Sequence, residues 1–262
     1  MDSKKRNIII AIMVAMFLGA VEGTVVTTAI PTIVKDLKGF ESLSWVFSMY
    51  LLTSAIATPI YGKLCDLYGR KNVFCIGIII FLAGSTLCGL SQSINQLIAF
   101  RAIQGLGAGS IFTITYTIVG DVFSLSERAK VQGWLGSVWG IASLVGPFLG
   151  GFFIQTLSWH WIFFINIPFG IMSIILLQKN LIEKFEKRKH SIDFAGIILL
   201  SGAISLILYG TLTISKGESK NLAVSAFIIL GAIVLFTGFY FVEKRAKEPI
   251  LPLIYLQNHL SL

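Results

Sequence analysis

The chain has 262 residues, of which 55% are hydrophobic and only 13% are charged, and its mean hydropathy is +0.82. Soluble domains usually carry about 25% charged residues, so this composition argues against a water-soluble globular protein. The formal net charge of +8 could suit a nucleic-acid partner. However, the positive charges fall mainly in short loops on one side of successive apolar segments, and that pattern indicates a membrane protein without a nucleic-acid partner.

Eight apolar segments follow one another along the chain, and each is long enough to cross a lipid bilayer as a helix. The third and fourth are separated only by the polar run at 91–96, which we take as a turn. The sequence therefore predicts an all-α membrane protein. The predicted segments are 8–34, 43–61, 72–90, 97–119, 131–157, 161–178, 194–215 and 222–242.

The distribution of positive charge predicts the orientation. Most of the 21 lysines and arginines lie in loops on the same side as the N-terminus, and cytoplasmic loops carry such an excess. We therefore predict a multi-pass protein of the cell membrane with both termini in the cytoplasm. The basic loop at 179–192 could also bind anionic lipid, although retention on the cytoplasmic side is its simpler role. The lysines on the outer side are Lys35, Lys38, Lys216 and Lys220.

Glu22 is the only charged residue in the first apolar segment. A carboxylate at that depth is expensive to keep in a bilayer, so an acid there is a candidate functional residue. An acid removed from water can also take up and release a proton near neutral pH. The sequence therefore predicts a proton-sensitive acid in the first span.

Arg101 lies inside the fourth apolar segment. An arginine within the bilayer needs a partner or a water-filled cavity. If the first helix ends near Pro31, Glu22 and Arg101 lie within one or two helical turns of the same depth. We therefore expect both side chains to face one cavity. The alternative is an arginine whose head group reaches out to the membrane surface.

The loop after the second segment runs from Gly62 to Lys71 and carries Asp66, Gly69 and Arg70. We expect Gly62 to allow close approach between helices and Gly69 to allow a tight turn. Asp66 and Arg70 can form a charge-assisted pair at the membrane edge. Asp121, at the end of the fourth segment, is a third partner for this group. The alternative is an ordinary solvated loop.

The fifth segment is rich in small residues. Ala142, Gly146 and Gly150 recur every four residues and so share one helix face, and small residues at that spacing let helix backbones touch in lipid. Pro147 adds a kink or a point of flexibility, and Gly151 follows Gly150 directly. This face is a packing surface, and beside Pro147 it could also bend during a conformational change.

Together these motifs resemble the major facilitator superfamily, and most closely its fourteen-span drug:proton antiporter branch. Glu22 stands where that branch often has Asp, and Thr28 stands where Asn is common. The matching stretches are 62–71 (G-x-L-x-D-x-x-G-R-K), 97–105 (L-x-x-x-R-x-x-Q-G), 146–151 (G-P-x-x-G-G), 21–26 with 29–31, and 161–170.

The resemblance implies a six-helix N-terminal bundle followed by two linker transmembrane helices. Its domains would be the bundle at 1–178, the basic cytoplasmic loop at 179–192, the additional helices at 193–242, and a tail at 243–262 leading to a missing C-terminal bundle. Family transporters rock two bundles about one central site. We therefore expect this chain to be an incomplete half that works with a C-terminal half or a second copy.

The activity implied is proton-coupled multidrug efflux, in which amphipathic and often cationic compounds leave the cell in exchange for protons. The resemblance assigns proton coupling and substrate contact to Glu22, Arg101 and Gln104. It assigns a conformational latch to Gly62, Asp66, Gly69, Arg70, Lys71 and Asp121, and exporter-type helix packing to Gly146, Pro147, Gly150 and Gly151.

Two other functions are open: a proton-linked transporter of one specific metabolite, and a non-transporting membrane subunit. We do not expect an enzyme, because the sequence shows no nucleophile–base or metal-ligand constellation. The phosphate-binding pattern G-x-x-x-x-G-K-[ST] is also absent from the sequence. We accordingly predict no cofactor and no metal.

Overall fold

The computed structural model describes residues 2–183, 193–215 and 222–245, with side chains for most of them. These residues fall into two compact units. The first unit contains the described residues up to 183, and the second contains the two remaining ranges.

The described residues are almost entirely helical. A 3-10 turn at Phe40–Ser42 precedes the second helix. The helices are α1 (Ser3–Leu37), α2 (Leu43–Tyr68), α3 (Arg70–Gly89), α4 (Ile94–Val122), α5 (Leu125–Thr156), α6 (Trp161–Phe164), α7 (Asn166–Asn180), α8 (Phe194–Ser215) and α9 (Leu222–Arg245).

This architecture confirms the predicted all-α membrane fold. Seven of the helical stretches are long and apolar enough to cross a membrane, with Trp161–Asn180 counted as one stretch. The remaining predicted segment is α8, whose Ala195–Thr211 portion forms a shorter apolar helix. Most of the predicted basic loop, most of the predicted tail, and Lys216 and Lys220 lie outside the described residues.

Two helix boundaries differ from the sequence prediction. Pro31 does not end the first helix, because α1 continues through it to Leu37. Proline removes one backbone hydrogen bond, and helices in membranes tolerate this when neighbouring groups compensate. The polar run at 91–96 is only partly a turn. Ser93 accepts a hydrogen bond from the backbone N–H of Gln96, and this cap starts α4 at Ile94.

Helix α4 packs against α2 on one side and α3 on the other. Glycines allow these close contacts: Gly105 faces the backbone of Tyr50 in α2, and Gly107 faces the backbone of Phe81 in α3. Without a hydrophobic force between helices in lipid, such small residues let backbones approach and gain van der Waals contact. On its other sides the unit is built by α1, which packs against α5 and α7.

The buried apolar residues of the first unit form two clusters along the helix axes. One surrounds the first half of α1, from Ile8 to Leu18. The other surrounds its second half, from Ala20 to Ile33. Glu22 lies on α1 where the second cluster begins, so apolar side chains pack on both sides of the level of this acid.

The second unit is a helical hairpin of α8 and α9, which pack against each other. A glycine on each helix allows the contact, because Gly210 faces Ile228 and Gly231 faces Leu206. Asp193 caps the start of α8 by accepting a 2.9 Å hydrogen bond from the backbone N–H of Gly196.

The close contact at Gly107 predicts a strong effect of adding one methyl group. In Gly107→Ala the new Cβ would overlap the Phe81 backbone, and we expect overpacking to destabilise the bundle by about 1–3 kcal/mol. Gly133→Ala is the matched control, because that helical glycine has open space around it. Thermal unfolding in detergent measures both variants, and equal unfolding temperatures would contradict this packing.

Candidate functional site

The centre of the first unit contains a buried ion pair between Glu22 of α1 and Arg101 of α4. Arg101 Nη1 lies 2.5 Å from Glu22 Oε1, and both side chains are only 1% exposed. Arg101 therefore does not extend to the membrane surface. The two groups bind each other directly in the interior of the first unit.

Arg101 is held by groups from two helices besides α1. Its Nε donates to the backbone carbonyl of Val46 in α2 at 3.2 Å, and Nη1 also donates to Gln104 Oε1 at 3.0 Å. The guanidinium lies 4.2 Å from the centre of the Tyr50 ring, in cation–π contact. Gln104, grouped with the pair by the sequence, thus contacts its cationic member.

The second carboxylate oxygen of Glu22 has a separate partner. Asn166, the first residue of α7, donates from Nδ2 to Glu22 Oε2 at 2.9 Å and to Ser85 Oγ of α3 at 2.9 Å. Ser85 in turn donates to the Phe163 carbonyl of α6 at 2.8 Å. Sequence reasoning did not single out Asn166 or Ser85. The available signal was a polar side chain within an apolar segment.

This network stabilises the charged side chains of Glu22 and Arg101 in the protein interior, where burying a charge costs free energy. Burying a carboxylate and a guanidinium removes both from water, and only close contact with additional hydrogen bonds offsets that penalty. Here α1, α2, α3, α4, α6 and α7 each contribute a group. Three polar atoms next to the pair have no hydrogen-bond partner among the described residues: Tyr50 Oη, Gln104 Nε2 and Asn166 Oδ1.

The predicted latch residues also meet, at one end of the bundle. Arg70 Nε lies 2.7 Å from Asp121 Oδ2, and Arg70 Nη2 lies 3.6 Å from Asp66 Oδ1. These ion pairs are partly exposed, so each contributes little stability by itself. Their value is geometric, because they join the ends of α2, α3 and α4. Arg70 and Asp121 also line a cavity of about 320 Å³.

The glycines of this loop differ in role. Gly69 separates α2 from α3 and has φ of +85°, a conformation that favours glycine, so the expected tight turn is present. At Gly62 no atom of the described residues lies within 4 Å of the position a Cβ would take, so the expected close helix approach stays a prediction. Lys71 turns away from the acids and donates from Nζ to the Gln178 carbonyl at 2.7 Å.

Glu183 joins the latch from the segment after α7 and was not predicted. Its carboxylate accepts hydrogen bonds from the backbone N–H groups of Arg70 at 2.8 Å and Lys71 at 3.1 Å. These groups begin α3, where unpaired N–H donors and the helix dipole favour a negative charge. Glu183 is one of two acids in the basic loop at 179–192, and this gave no sequence signal for the contact.

The small-residue face of α5 lies against α1. Gly146 faces Thr24 and Gly150 faces Thr28, and Thr24 Oγ1 donates to the Ala142 carbonyl at 3.2 Å. This face therefore packs as expected against the helix that carries Glu22.

Gly151 and Pro147 lie away from that face. The space around Gly151 is open, and Pro147 is exposed within a helix that continues past it. Neither residue therefore takes part in the contact between α1 and α5.

The opposite end of the bundle has its own contact between α1 and the turn after α5. Trp159 is buried and donates from Nε1 to Asp36 Oδ2 at 2.8 Å. Its indole stacks on the His160 ring with 3.8 Å between ring centres. Partial burial lowers the pKa of His160, whereas the nearby Asp36 carboxylate acts in the opposite direction.

No cluster of three or more His, Cys, Asp or Glu side chains suited to a metal occurs among the residues whose positions are described. The polar centre consists instead of one acid, one arginine, neutral amide and hydroxyl groups, and the Cys88 thiol, which contacts Gln104 Oε1 at 3.6 Å. Such a set can hold or release a proton and can bind a cation.

The sequence matches the model of the Major Facilitator Superfamily over residues 12–256. It is 40% identical to the Multidrug transporter protein MdtP and 38% identical to Multidrug resistance protein 3, both of Bacillus subtilis (strain 168). These matches cover 98% and 99% of this chain but 48% and 51% of the relatives. The Multidrug efflux pump SdrM of Staphylococcus aureus (strain N315) is 34% identical, over 97% of this chain and 56% of that protein. The chain thus spans about half the length of these relatives.

Solved structures share the fold at low sequence identity. The human organic anion transporter MFSD10 has a TM-score of 0.61 at 18% identity, over 79% of this chain and 55% of that one. The D-xylose-proton symporter has a TM-score of 0.61 at 13% identity, over 91% of this chain and 67% of that one. These likenesses show the fold. The family match and the relatives named as transporters support the prediction that this chain is not an enzyme.

The ion pair predicts that removing one of its charges lowers the unfolding free energy more than removing both. Arg101→Met leaves the buried Glu22 carboxylate without its cation, and we expect a loss of about 3–5 kcal/mol of unfolding free energy. Glu22→Gln combined with Arg101→Met removes both charges and should recover part of that loss. Thermal unfolding of the two single variants and the double variant gives the coupling energy, and simple additivity would contradict a direct pair.

Proposed function

Because the chain belongs to the major facilitator superfamily, we propose that it forms part of a proton-coupled multidrug exporter. The substrates are amphipathic, often cationic compounds carried across the cell membrane in exchange for protons. The observation that carries this proposal is the buried Glu22–Arg101 pair with its Asn166 contact. Similarity to proteins named as multidrug transporters and efflux pumps supports the choice of substrate class.

Glu22 is the proton site in this proposal. In its ionised form it binds Arg101 and Asn166, which keeps α1, α4 and α7 together. Protonation removes the negative charge and weakens that contact, so proton uptake favours a different arrangement of these helices. A cationic drug competes for the same negative charge, and this competition links drug release to proton uptake.

The latch acts at one end of the bundle, away from Glu22. Arg70 with Asp66 and Asp121 holds the ends of α2, α3 and α4 in one state. The contact between α1 and the small residues of α5 transmits movement of α1 to a neighbouring helix. Neither the latch nor the contact between α1 and α5 touches Glu22. Both involve helices that would move when Glu22 is protonated.

Alternating access needs two bundles around one site. We therefore propose that the first unit works as one bundle, facing a second one supplied by a C-terminal half or by another copy. The second unit then serves as the linker pair of a fourteen-span transporter, with both ends of the described chain on the cytoplasmic side. The coverage of about half of each relative is consistent with this arrangement.

Glu22→Gln tests the proton role. In the complete transporter, placed in inverted membrane vesicles with an imposed proton gradient, we expect this variant to lose gradient-driven uptake of a fluorescent cationic drug. The amide cannot bind and release the proton, while its shape preserves packing. Glu41→Gln is the matched control, because that carboxyl is exposed in the turn before α2, and it should transport normally.

The comparison has three informative results. Unchanged drug uptake by Glu22→Gln, at equal membrane content, would contradict the coupling role. Uptake limited to one labelled metabolite would replace drug export with specific metabolite transport. Membrane insertion without transport, even when a second bundle is present, would favour a non-transporting subunit.

A further inference from the structure

The orientation of the Asn166 amide depends on whether Glu22 is ionised. The side chain is buried, with 1% exposure, and both N–H bonds of Nδ2 are used, one on Glu22 Oε2 and one on Ser85 Oγ. Its carbonyl oxygen Oδ1 has no hydrogen-bond partner among the described residues. An amide placed this way donates twice and accepts nothing, which suits an ionised carboxylate that can only accept.

A proton arriving at Glu22 would bind Oε2. The other oxygen, Oε1, lies 2.5 Å from the positively charged Arg101 Nη1, which disfavours protonation there. A protonated Oε2 would direct its O–H bond at the N–H of Asn166, so two donors would face each other. A buried donor without an acceptor is costly.

Rotation of the amide by half a turn removes this conflict, but it also turns the N–H bonds of Nδ2 to the place of Oδ1, which has no hydrogen-bond partner among the described residues. The rotated amide therefore requires a movement at the start of α7 that brings an acceptor to Nδ2. Oδ1 then replaces Nδ2 and can accept from both neighbours, the Glu22 hydroxyl and the Ser85 hydroxyl. Ser85 would turn away from the Phe163 carbonyl, to which it now donates at 2.8 Å. Phe163 belongs to α6, directly before the break at Ile165 that separates α6 from α7.

We propose that Asn166 is an amide switch that reports the protonation of Glu22 to the break between α6 and α7. With Glu22 ionised, Asn166 donates to it and Ser85 holds the α6 carbonyl. With Glu22 protonated, Asn166 accepts, Ser85 turns, and the α6 carbonyl loses this donor. Asn166 is thus a positioning residue, and the proposal rests on the proton role of Glu22 proposed above.

The other groups around Glu22 do not provide this link. The titratable or charged side chains that act on it are Arg101 from α4, with Tyr50 from α2 and Cys88 from α3 nearby. Arg101 remains charged in either state and contacts α2 through Val46. Among the described residues that contact Glu22, Asn166 is the one whose hydrogen bonds continue through Ser85 to α6.

Infrared difference spectroscopy can detect the switch. The complete protein, reconstituted in lipid and labelled with ¹³C at the asparagine side-chain carbonyl, is compared at acidic and neutral pH. We expect a protonated-carboxyl band together with a change in the labelled asparagine band. Both should disappear in Glu22→Gln. The asparagine change alone should disappear in Asn166→Ser and persist in the matched control Asn95→Ser, whose side chain is exposed.

The spectra separate failure of this proposal from failure of the proposed function. A Glu22-dependent carboxyl band with no asparagine change, or with a change that persists in Asn166→Ser, would overturn the switch and leave the proton role intact. A carboxyl band unaffected by Glu22→Gln would overturn the proton role, and the switch with it.

Ser85→Ala provides a second test that does not alter either amide or acid. We expect gradient-driven drug transport to fall about tenfold while drug affinity stays within about threefold, because one buried hydrogen bond of the relay is lost but the binding groups remain. Ser173→Ala is the matched control, since Ser173 is buried and donates to the Ala11 carbonyl of another helix at 2.7 Å. Equal transport by the two serine variants would overturn the relay.

Discussion

A carboxylate buried between helices is the constraint around which the first unit is built. Glu22 is stable in this position only because Arg101 neutralises its charge and Asn166 satisfies its second oxygen. The arginine in turn needs the Val46 carbonyl and Gln104 to complete its own hydrogen bonds. The interaction therefore fixes the relative positions of several helices that apolar packing alone would specify less strictly.

The fold around this pair consists of helices that approach closely through small residues. Gly105 and Gly107 place α4 against α2 and α3, and this contact positions Arg101 beside Glu22. Gly146 and Gly150 bring α5 against Thr24 and Thr28 of α1, on a face that points away from Glu22. The glycine contacts of α4 nearest to Arg101 thus lie one to two helical turns from it.

The two ends of the bundle are held by a different kind of contact. Partly exposed charges and helix caps join neighbouring helices there, including Arg70 with Asp121 and the cap that Glu183 places on α3. Exposed ion pairs contribute little free energy each, so they can break and reform during a conformational cycle.

The sequence predicted those site residues that differ clearly in charge from the residues around them. A lone charge in an apolar run identified Glu22 and Arg101, and the spacing of charges in a short loop identified Arg70 with its acids. Asn166 and Ser85 could not be identified as partners, because neutral polar residues are common in membrane helices and their contacts depend on helix rotation.

Local composition also failed to specify the surroundings of individual loop residues. Glu183 gave no signal because one acid in a charged loop is ordinary. Gly62 has open space around it among the described residues, and a glycine in a sequence motif does not by itself reveal whether another helix lies against it. Both cases depend on contacts between parts of the chain that are distant in sequence.

Proton release on drug binding measures most directly whether Glu22 exchanges a proton for the drug. Calorimetric titration of the complete protein with a cationic drug, in buffers of different ionisation enthalpy, counts the protons released. If Glu22 exchanges a proton for the drug, the wild-type protein releases protons on binding and Glu22→Gln releases none. Equal release from both proteins would contradict the account.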